Sequence, residues 1–379
     1  MTSHPPSSIL NPRRVLVRGP NWLGDAVMTT PALLRLRETS PRAHIALLTP
    51  VKLAALWENH PAIDEIISFK AGENVFSVGQ KLRGGGFDLA LVLPNSQRSA
   101  IEVWLAGIPQ RIGYARPWRN FFLTQTVAPR AEAVRMRKRS VAEIKNLTSS
   151  FSGPEPQIPA SAHQIYEYLY LVTALRANPE PLPPQLSVGS DELETAKKKF
   201  GLEKIAQPIF GLAPGAEYGP AKRWPADRFI AVAREIQTRT NCFWVLFGGA
   251  NDATIAGQIQ LALGDRQSAI LNLACQTSLR ELMSLLKLCR VLLTNDSGPM
   301  HVAAALGTPV VVPFGSTSPE LTGPGLPGDK RHRLLESAAP CSPCFRRECP
   351  IDFRCMSGIS VERVTTAVVE VAAAGSGAG

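Results

Sequence analysis

The stretch LLTNDSGPMHVAAALGTPVVVPFG, Leu292–Gly315, constrains the fold more than any other part of the sequence. Two apolar runs, Val291–Thr294 and Val310–Phe314, flank a segment of small residues that predicts a helix over Pro299–Leu306, and Gly307 follows as its stop. Short apolar strands on either side of a helix are typical of a βαβ unit in a parallel sheet. The sequence therefore predicts an α/β fold.

The turn between the first run and the helix is rich in polar and small residues. Asp296 and Ser297 are candidates to cap the helix, Gly298 lets a ligand approach the backbone, and Pro299 fits the first helical turn. A helix start carries unpaired N–H groups and about half a positive charge, which suits a phosphate or diphosphate, and His301 adds a further donor. An ordinary capped helix is the alternative interpretation.

Strands and helices alternate along both halves of the chain, which predicts two Rossmann-like domains. The predicted strands are Arg14–Gly19, His44–Thr49, Glu65–Phe69, Leu89–Pro94, Arg111–Tyr114, Pro208–Gly215, Phe243–Gly249 and the run AILNLA at 269–274. No G-x-G-x-x-G follows the first strand, so a dinucleotide oxidoreductase is not expected. Two such domains facing across a central cleft are what a nucleotide-sugar transferase needs.

The segment NPEPLPPQLSVGS, residues 178–190, predicts the linker between the domains. The first domain is then 14–177 and the second 191–372, with flexible tails at 1–13 and 373–379. Residues 115–162 lack periodicity and predict a mobile loop over a binding site, and HQIYEYLYLVTALR after them predicts an amphipathic helix.

The net charge of +10 favours anionic partners such as nucleotides, phosphorylated sugars or an acidic membrane face. Nucleic acid is not predicted, because no zinc-finger, RNA-recognition or helix-turn-helix signature is present. No apolar run reaches the ~18 residues of a spanning helix, and the first residues do not resemble a secretory signal. We therefore expect a cytoplasmic protein. The oligomeric state is not predicted.

Asp25 lies where a helix begins after the first predicted strand. A carboxylate at the carboxyl end of a parallel strand faces the crevice in which open α/β sheets bind ligands. This position indicates a functional acid, although a plain N-cap is the alternative.

Five segments carry a family resemblance: WLGDAVMTTPAL, PGAEYGPAKRWP, LFGGANDA, NDSGPMHVAAALGTPVVVPFGSTSPE and CSPCFRRECP. In this order they resemble the heptosyltransferases of glycosyltransferase family 9, from about Arg14 to about Ala367. The resemblance implies a GT-B fold, ADP-L-glycero-D-manno-heptose as donor, and a lipid A–Kdo inner core that already carries heptose as acceptor. It also implies inverting transfer that needs no metal or other cofactor, at the inner face of the cytoplasmic membrane.

The resemblance assigns roles to single residues. Asp25 matches the proposed catalytic base, which would remove the proton of the acceptor hydroxyl. Lys222 matches the lysine on the donor phosphates, where an ammonium offsets the charge that grows on departing ADP; an exposed cation before a helix is the alternative. The donor-binding turn is matched by Asp296, Ser297, Gly298 and His301. Since a carboxylate repels a diphosphate, we assign Asp296 to heptose hydroxyls or to capping.

Further binding residues are predicted in both halves. Asp252 is a candidate for the adenosine ribose, with a helix cap as the equal alternative. The turn containing Ala213, Gly215 and Ala216 would let phosphates approach the backbone. Candidates for the anionic acceptor are Arg98, Arg111, Arg116 and Arg119.

Four cysteines are spaced C-x₂-C-x₄-C-x₅-C, at Cys341, Cys344, Cys349 and Cys355. Structural zinc, free thiols and disulfides all stay open for them, because the spacing is compressed relative to zinc ribbons and the family is not known to need a metal. The remaining cysteines, Cys242, Cys275 and Cys289, are predicted to be core residues.

Two other functions stay open. The first is a transferase of the same family that uses another acceptor or another ADP-sugar. The sequence leaves it open because the acceptor contacts fall in the irregular part of the first half. Outside the family, the chain is a non-catalytic protein that binds nucleotides or anionic polymers through its basic segments.

Overall fold

The computed structural model describes residues 12–149, 158–264 and 269–374. The chain forms two compact units: Met1–Ala133 with Gln164–Ser187, and Val134–His163 with Val188–Gly379. The outer parts of the two predicted tails, 1–11 and 375–379, lie outside the described residues.

Each unit contains one parallel sheet. The strands of the first unit are β1 Arg14–Arg18, β2 His44–Pro50, β3 Glu65–Phe69, β4 Leu89–Val92, β5 Gln110–Tyr114 and β6 Gln125–Val127. Those of the second unit are β7 Ile209–Ala213, β8 Phe243–Leu246, β9 Ile270–Asn272, β10 Leu292–Thr294, β11 Val310–Pro313 and β12 Arg333–Leu335.

The α-helices follow the strands in βα alternation. In chain order they are α1 Leu23–Met28, α2 Thr30–Thr39, α3 Val51–Ala54, α4 Val75–Arg83, α5 Gln97–Leu105, α6 Val141–Ser149, α7 Gln164–Val172, α8 Ser190–Lys199, α9 Ala226–Thr240, α10 Ala253–Leu263, α11 Leu279–Leu288, α12 Gly298–Ala305, α13 Pro319–Thr322, α14 Arg354–Ser357 and α15 Val361–Ala374.

The two sheets share one topology. The first has the order β3-β2-β1-β4-β5-β6, and the second, β12-β11-β10-β7-β8-β9, is the same order read from its other edge. This is the order of doubly wound dinucleotide-binding sheets, in which ligands bind beyond the carboxyl ends of the strands. The central strands are buried on both faces, as Val15, Leu16 and Val17 of β1 illustrate with no exposed surface. The predicted α/β architecture is confirmed.

The predicted βαβ unit at Leu292–Gly315 is confirmed as β10, α12 and β11. The helix begins and ends one residue earlier than predicted, at Gly298 and Ala305. Gly307 has φ +87°, which explains why glycine stands there, because a side chain is strained in that conformation.

The interpretation of 115–162 as irregular is wrong in its described part. This segment contains β6 and α6, and residues 150–157 lie outside the described residues. The predicted first domain, 14–177, includes Val134–His163, whereas in the structure this segment belongs to the second unit. The physical reason is local packing: Ile144 of α6 is buried against Cys341 and Cys344. Among the described helices none has the length and apolar character to span a bilayer.

Candidate functional site

Lys222 lies in the loop 214–225, which connects β7 to α9, and its ammonium group forms an ion pair. Lys222 Nζ is 2.5 Å from Asp296 Oδ2, and the side chains are 13% and 4% exposed. The hydroxyl of Thr317 donates a hydrogen bond to the same carboxylate oxygen. The prediction that Asp296 or Ser297 caps α12 is wrong: Ser297 makes no side-chain cap bond, and the Asp296 carboxylate faces Lys222 and Thr317.

Asn295 fixes the geometry of this ion pair, and the sequence analysis did not identify it. The fully buried Asn295 side chain accepts a hydrogen bond from the backbone N–H of Trp224 at 3.0 Å and donates one to the Pro214 carbonyl at 2.6 Å. It therefore ties both ends of the lysine loop to the turn that carries Asp296. A buried amide with its hydrogen bonds satisfied is a specific positioning device.

The aromatic ring of Tyr218 supports the lysine from the other side. Lys222 Nζ lies 4.9 Å and Arg347 Cζ 5.2 Å from the ring centroid, and the Tyr218 hydroxyl donates to the Phe345 carbonyl at 2.8 Å. Cation–π contacts of this kind hold a positive charge without neutralising it. Next to Tyr218, Gly219 has φ +152°, and a Cβ there would come within 2.5 Å of the Arg347 carbonyl oxygen. Only glycine fits this close approach.

Two buried histidines lie near the ion pair. Burial lowers the pKa of His301 to about 4, even though the Asp296 charge acts in the opposite direction. The pKa of His163 is also lowered to about 4 by burial, and its Nε2 lies 3.0 Å from the Gly323 carbonyl oxygen. Both imidazoles are therefore neutral at physiological pH. The sequence predicted His301 but missed His163, which no motif marks.

The small-residue turn after β7 is packed against Asp252. Ala213 and Ala216 are buried, and a Cβ on Gly215 would fall within 2.2 Å of the Asp252 carboxylate carbon. Asp252 Oδ2 accepts a hydrogen bond from the Gly249 N–H at 3.0 Å, which supports the alternative that Asp252 caps a helix. Its Oδ1 lies 3.6 Å from an Arg223 nitrogen and is buried without a hydrogen-bond partner among the described residues. The ribose role stays a prediction.

In the first unit, Asp25 lies in the first turn of α1, after β1, and is half-buried. Its alternative role as N-cap is wrong, since Trp22 occupies that position. The Gln164 side chain donates from Nε2 to Asp25 Oδ1 at 3.2 Å and to the Tyr168 hydroxyl oxygen at 3.0 Å. Burial, followed by the Asp25 charge, raises the pKa of Tyr168. Gln164 therefore orients the carboxylate, and the sequence analysis missed it.

Two of the four arginines predicted for the acceptor are engaged in the fold. Arg98 Nε is 2.8 Å from an oxygen of the buried Glu102, whose other oxygen pairs with the buried Arg18, also at 2.8 Å. Arg111 donates to the carbonyls of Phe122 at 2.7 Å and Ile108 at 2.5 Å. These guanidinium groups already have structural partners.

Arg119 differs from both, because its guanidinium is fully buried yet incompletely bonded. One nitrogen donates to Asn95 Oδ1 at 3.1 Å, while Nε and Nη2 have no partner among the described residues. Burial and then the nearby Arg116 lower the pKa of Arg119 to about 10, so it stays protonated at neutral pH. A buried cation with unsatisfied donors is suited to an anion. Arg116 itself is half-buried and donates only to the Ala115 carbonyl, at 3.3 Å, among side-chain bonds in the described part.

The cysteines show no metal or disulfide arrangement in the part of the chain that the structure describes. No group of three or more potential ligands is placed to hold a metal ion there, and all seven thiols are unpaired. Burial raises the pKa of Cys355 to about 12, which makes its thiol unreactive. The core prediction holds for Cys242 and Cys289 and is wrong for Cys275, which is exposed in the turn after β9.

The sequence and the fold both match known proteins. The family description "Glycosyltransferase family 9 (heptosyltransferase)" matches residues 75–148 and 136–353. The chain is 33% identical to lipooligosaccharide heptosyltransferase 2 of Haemophilus ducreyi, over 82% of this chain and 86% of that protein. It is also 33% identical to lipopolysaccharide heptosyltransferase 2 of Escherichia coli, over 82% and 85%. The solved structure of the E. coli ADP-heptose lipopolysaccharide heptosyltransferase II has a TM-score of 0.77 at 29% identity, covering 95% of this chain and 99% of that one.

Proposed function

Because this chain belongs to glycosyltransferase family 9, we infer that it transfers L-glycero-D-manno-heptose from ADP-heptose to a heptosyl-Kdo₂-lipid A inner core during lipopolysaccharide biosynthesis. The relatives named heptosyltransferase 2, at 33% identity, favour the second heptose-transfer step over others in the family. The observation that carries the proposal is the Lys222–Asp296 ion pair beside the start of α12. It places a fixed ammonium group at a helix N-terminus, which together suit a diphosphate.

The second unit binds the donor in this proposal. Lys222, held by Asp296 and Tyr218, contacts the diphosphate and offsets the negative charge that develops on ADP as it departs. Neutral His301 donates a hydrogen bond to the donor, and Asp252 Oδ1, which has no hydrogen-bond partner in the described part of the chain, accepts one from the ribose. Ala213, Gly215 and Ala216 leave the backbone near the diphosphate uncovered by long side chains.

The first unit supplies the base. Asp25 accepts the proton of the acceptor hydroxyl while that oxygen forms a bond to the anomeric carbon of heptose. The bond from this carbon to the phosphate oxygen breaks, and ADP leaves with the electron pair, so the anomeric configuration inverts. Gln164 orients the carboxylate for this step. Arg119, whose Nε and Nη2 have no hydrogen-bond partner among the described residues, binds an anionic group of the acceptor at the inner face of the cytoplasmic membrane.

The test is mass spectrometry of the products formed from ADP-heptose with Kdo₂-lipid A and, separately, with its monoheptosylated form. We expect one added heptose on the monoheptosylated acceptor, with the inverted anomer by NMR and unchanged turnover in the presence of a chelator. Addition to Kdo₂-lipid A alone would assign the first transfer step instead. No transfer to either acceptor, with ADP still bound, would favour a non-catalytic nucleotide-binding protein.

A further inference from the structure

The crossover from β5 to β6 exposes aromatic side chains that the fold does not use. Trp118 is 74% exposed and Phe121 is 81% exposed, more than any other large apolar side chain described in the first unit, of which Phe76 at 70% is the next. Trp118 also has φ +63°, a left-handed conformation that a tryptophan adopts only at a cost. Backbone strain that turns a large aromatic side chain into solvent points to a role outside the fold.

The neighbouring helix extends this surface. The Asn120–Phe122 turn packs on α5, where Trp104 is 47% exposed and makes an edge-to-face contact with Phe122 at 5.5 Å between ring centroids. Trp104, Trp118 and Phe121 together are called the aromatic ridge below. Three exposed aromatic side chains on adjoining elements exceed the scattered apolar residues of an ordinary surface and indicate an interaction site.

The chain around the aromatic ridge is rich in arginine. Residues 103–131 contain four arginines and no Asp or Glu. Three of them, Arg111, Arg116 and Arg119, donate only to carbonyl or amide oxygens among the described residues. Such oxygens satisfy the N–H groups without neutralising the charge; the carboxylate of Glu167 interacts with Arg116 and also lies 3.8 Å from Arg130. The partner of this surface is therefore anionic as well as apolar.

We propose that the aromatic ridge docks on the interface of an anionic phospholipid bilayer, with Trp118 and Phe121 among the headgroups and Arg116 facing their phosphates. Tryptophan prefers the membrane interface, where its ring is half in an apolar layer and its N–H stays hydrated. Basic residues add attraction to anionic lipids. The proposed function gives this docking its purpose, delivery of a lipid-anchored acceptor, but the binding itself requires no substrate.

The test is flotation of the full chain with vesicles of phosphatidylcholine, with or without phosphatidylglycerol, in the absence of donor and acceptor. We expect binding only to the vesicles that contain phosphatidylglycerol, weakened by added salt. The double change Trp118→Ser with Phe121→Ser should weaken binding at least about tenfold. Leu261→Ser on α10 is the matched control, since Leu261 is 80% exposed in the second unit, and it should bind as the unchanged chain does.

The contribution of positive charge is tested with two variants that each remove one arginine. Arg116→Gln should weaken binding about fivefold, which corresponds to the ~1 kcal/mol of one basic residue at an anionic surface. Arg42→Gln makes the same change of net charge at an exposed turn before β2 and should have no effect. Trp118→Phe keeps an aromatic ring and should retain most of the binding, which separates docking from misfolding.

Three results would overturn this proposal. They are equal binding to neutral vesicles, full binding by the double serine variant, and a dimer of the unchanged chain that dissociates when the aromatic ridge is changed. The last would assign the surface to a second copy of this chain. None of these results predicts a change in heptose transfer to a delipidated acceptor. The docking proposal can therefore be refuted while the proposed function still holds.

Discussion

The two units share a strand order but place different chemistry at the carboxyl ends of their first strands. In the first unit a short turn, 19–22, leads from β1 to α1, and a single carboxylate, Asp25, follows. In the second unit the corresponding loop, 214–225, is long enough to bring Lys222 to Asp296 at the end of β10. Sheet topology therefore fixes where a site lies, whereas the length of one loop decides which charges reach it.

The environments of the charged groups differ as well. Arg18, at the end of β1, forms a buried ion pair with Glu102. The cation that lies at this end of the strand is therefore part of the fold and is not available to a ligand. The second unit places small residues, Ala213 and Gly215, at the equivalent end of β7. Its cation comes from the loop and contacts a single carboxylate together with Tyr218. A lysine held in this way is available to a second anion.

The largest expected effect separates the two units by function. Asp25→Asn removes the base and should lower transfer by about 10²–10⁴-fold while ADP affinity is unchanged. Lys222→Met should weaken ADP binding as well as lower turnover, by about 10²–10³-fold, because it removes charge stabilisation. Single-turnover kinetics and calorimetric ADP titration measure both. Retained turnover in Asp25→Asn would refute the assignment of the base, and unchanged ADP affinity in Lys222→Met would refute the phosphate contact.

Acidification should destabilise the second unit more than the first. Burial holds the pKa of His163, His301 and His332 at about 4 in the second unit and that of His60 in the first. The unfolded chain protonates its histidines near pH 6.5, so it binds more protons than the folded state between pH 4 and 6.5, and stability falls as pH falls through this window. The loss at pH 5 is about 2 kcal/mol for each histidine.

Hydrogen exchange resolved by peptide at pH 7 and pH 5 measures this difference between the units. The amides of β7 and β10 should lose more protection than those of β1 and β4, after correction for the intrinsic pH dependence of exchange. Equal losses in both sheets would mean that the histidines are hydrated or protonated in the folded state.

How far the sequence predicts this molecule depends on the scale of the signal. Apolar runs located the central strands of both sheets, because a strand buried on both faces leaves a continuous apolar record. The edge strands β6 and β12 were missed, since each has three residues, none of them buried, and lies in no longer apolar run; β9 is equally short but lies in the run AILNLA. The order of the motifs predicts functional roles for Lys222 and Asp25, and these roles stay predictions.

The supporting residues were beyond the reach of the sequence. Gln164 and His163 are adjacent in the chain, yet one contacts Asp25 in the first unit and the other lies near His301 in the second. Nothing in their local sequence reports this, because tertiary packing alone brings them there. For the same reason Arg98 and Arg119 look alike in the sequence, although Arg98 is paired with Glu102 and Arg119 has donors without a partner among the residues that the structure describes.

Changes at Gln164 should sharpen the role of the first unit without touching the donor. Gln164→Met keeps the length of the side chain but removes the donor to Asp25, and it should lower kcat roughly tenfold, the effect of losing one hydrogen bond to a charged group, with ADP affinity unchanged. Gln164→Glu places a second carboxylate beside Asp25, which raises the pKa of the pair. The acidic limb of the kcat/KM profile should then move to higher pH.

The pH profile distinguishes positioning of Asp25 from packing, because only a side chain in contact with Asp25 changes the pH at which the catalytic base is protonated. A purely structural role would lower stability in both variants and leave the acidic limb where it is. Tyr168→Phe is the accompanying control, because it removes the hydroxyl behind Gln164 while the bond from Gln164 to Asp25 can persist. It should change kcat less than Gln164→Met does.

The smallest effect tests whether the second unit holds Asp296 for the donor or only for the fold. Thr317→Val keeps the shape of the side chain and removes the hydroxyl that donates to Asp296, so it should cost about 1 kcal/mol of stability and weaken ADP binding severalfold. Thr308→Val is matched to it, since the buried Thr308 hydroxyl donates to the Leu286 carbonyl at 2.8 Å. This control should lose similar stability in denaturant unfolding and keep its ADP affinity. If both variants bind ADP equally well, the Thr317–Asp296 bond serves only the fold, and the donor contact rests on Lys222 without it.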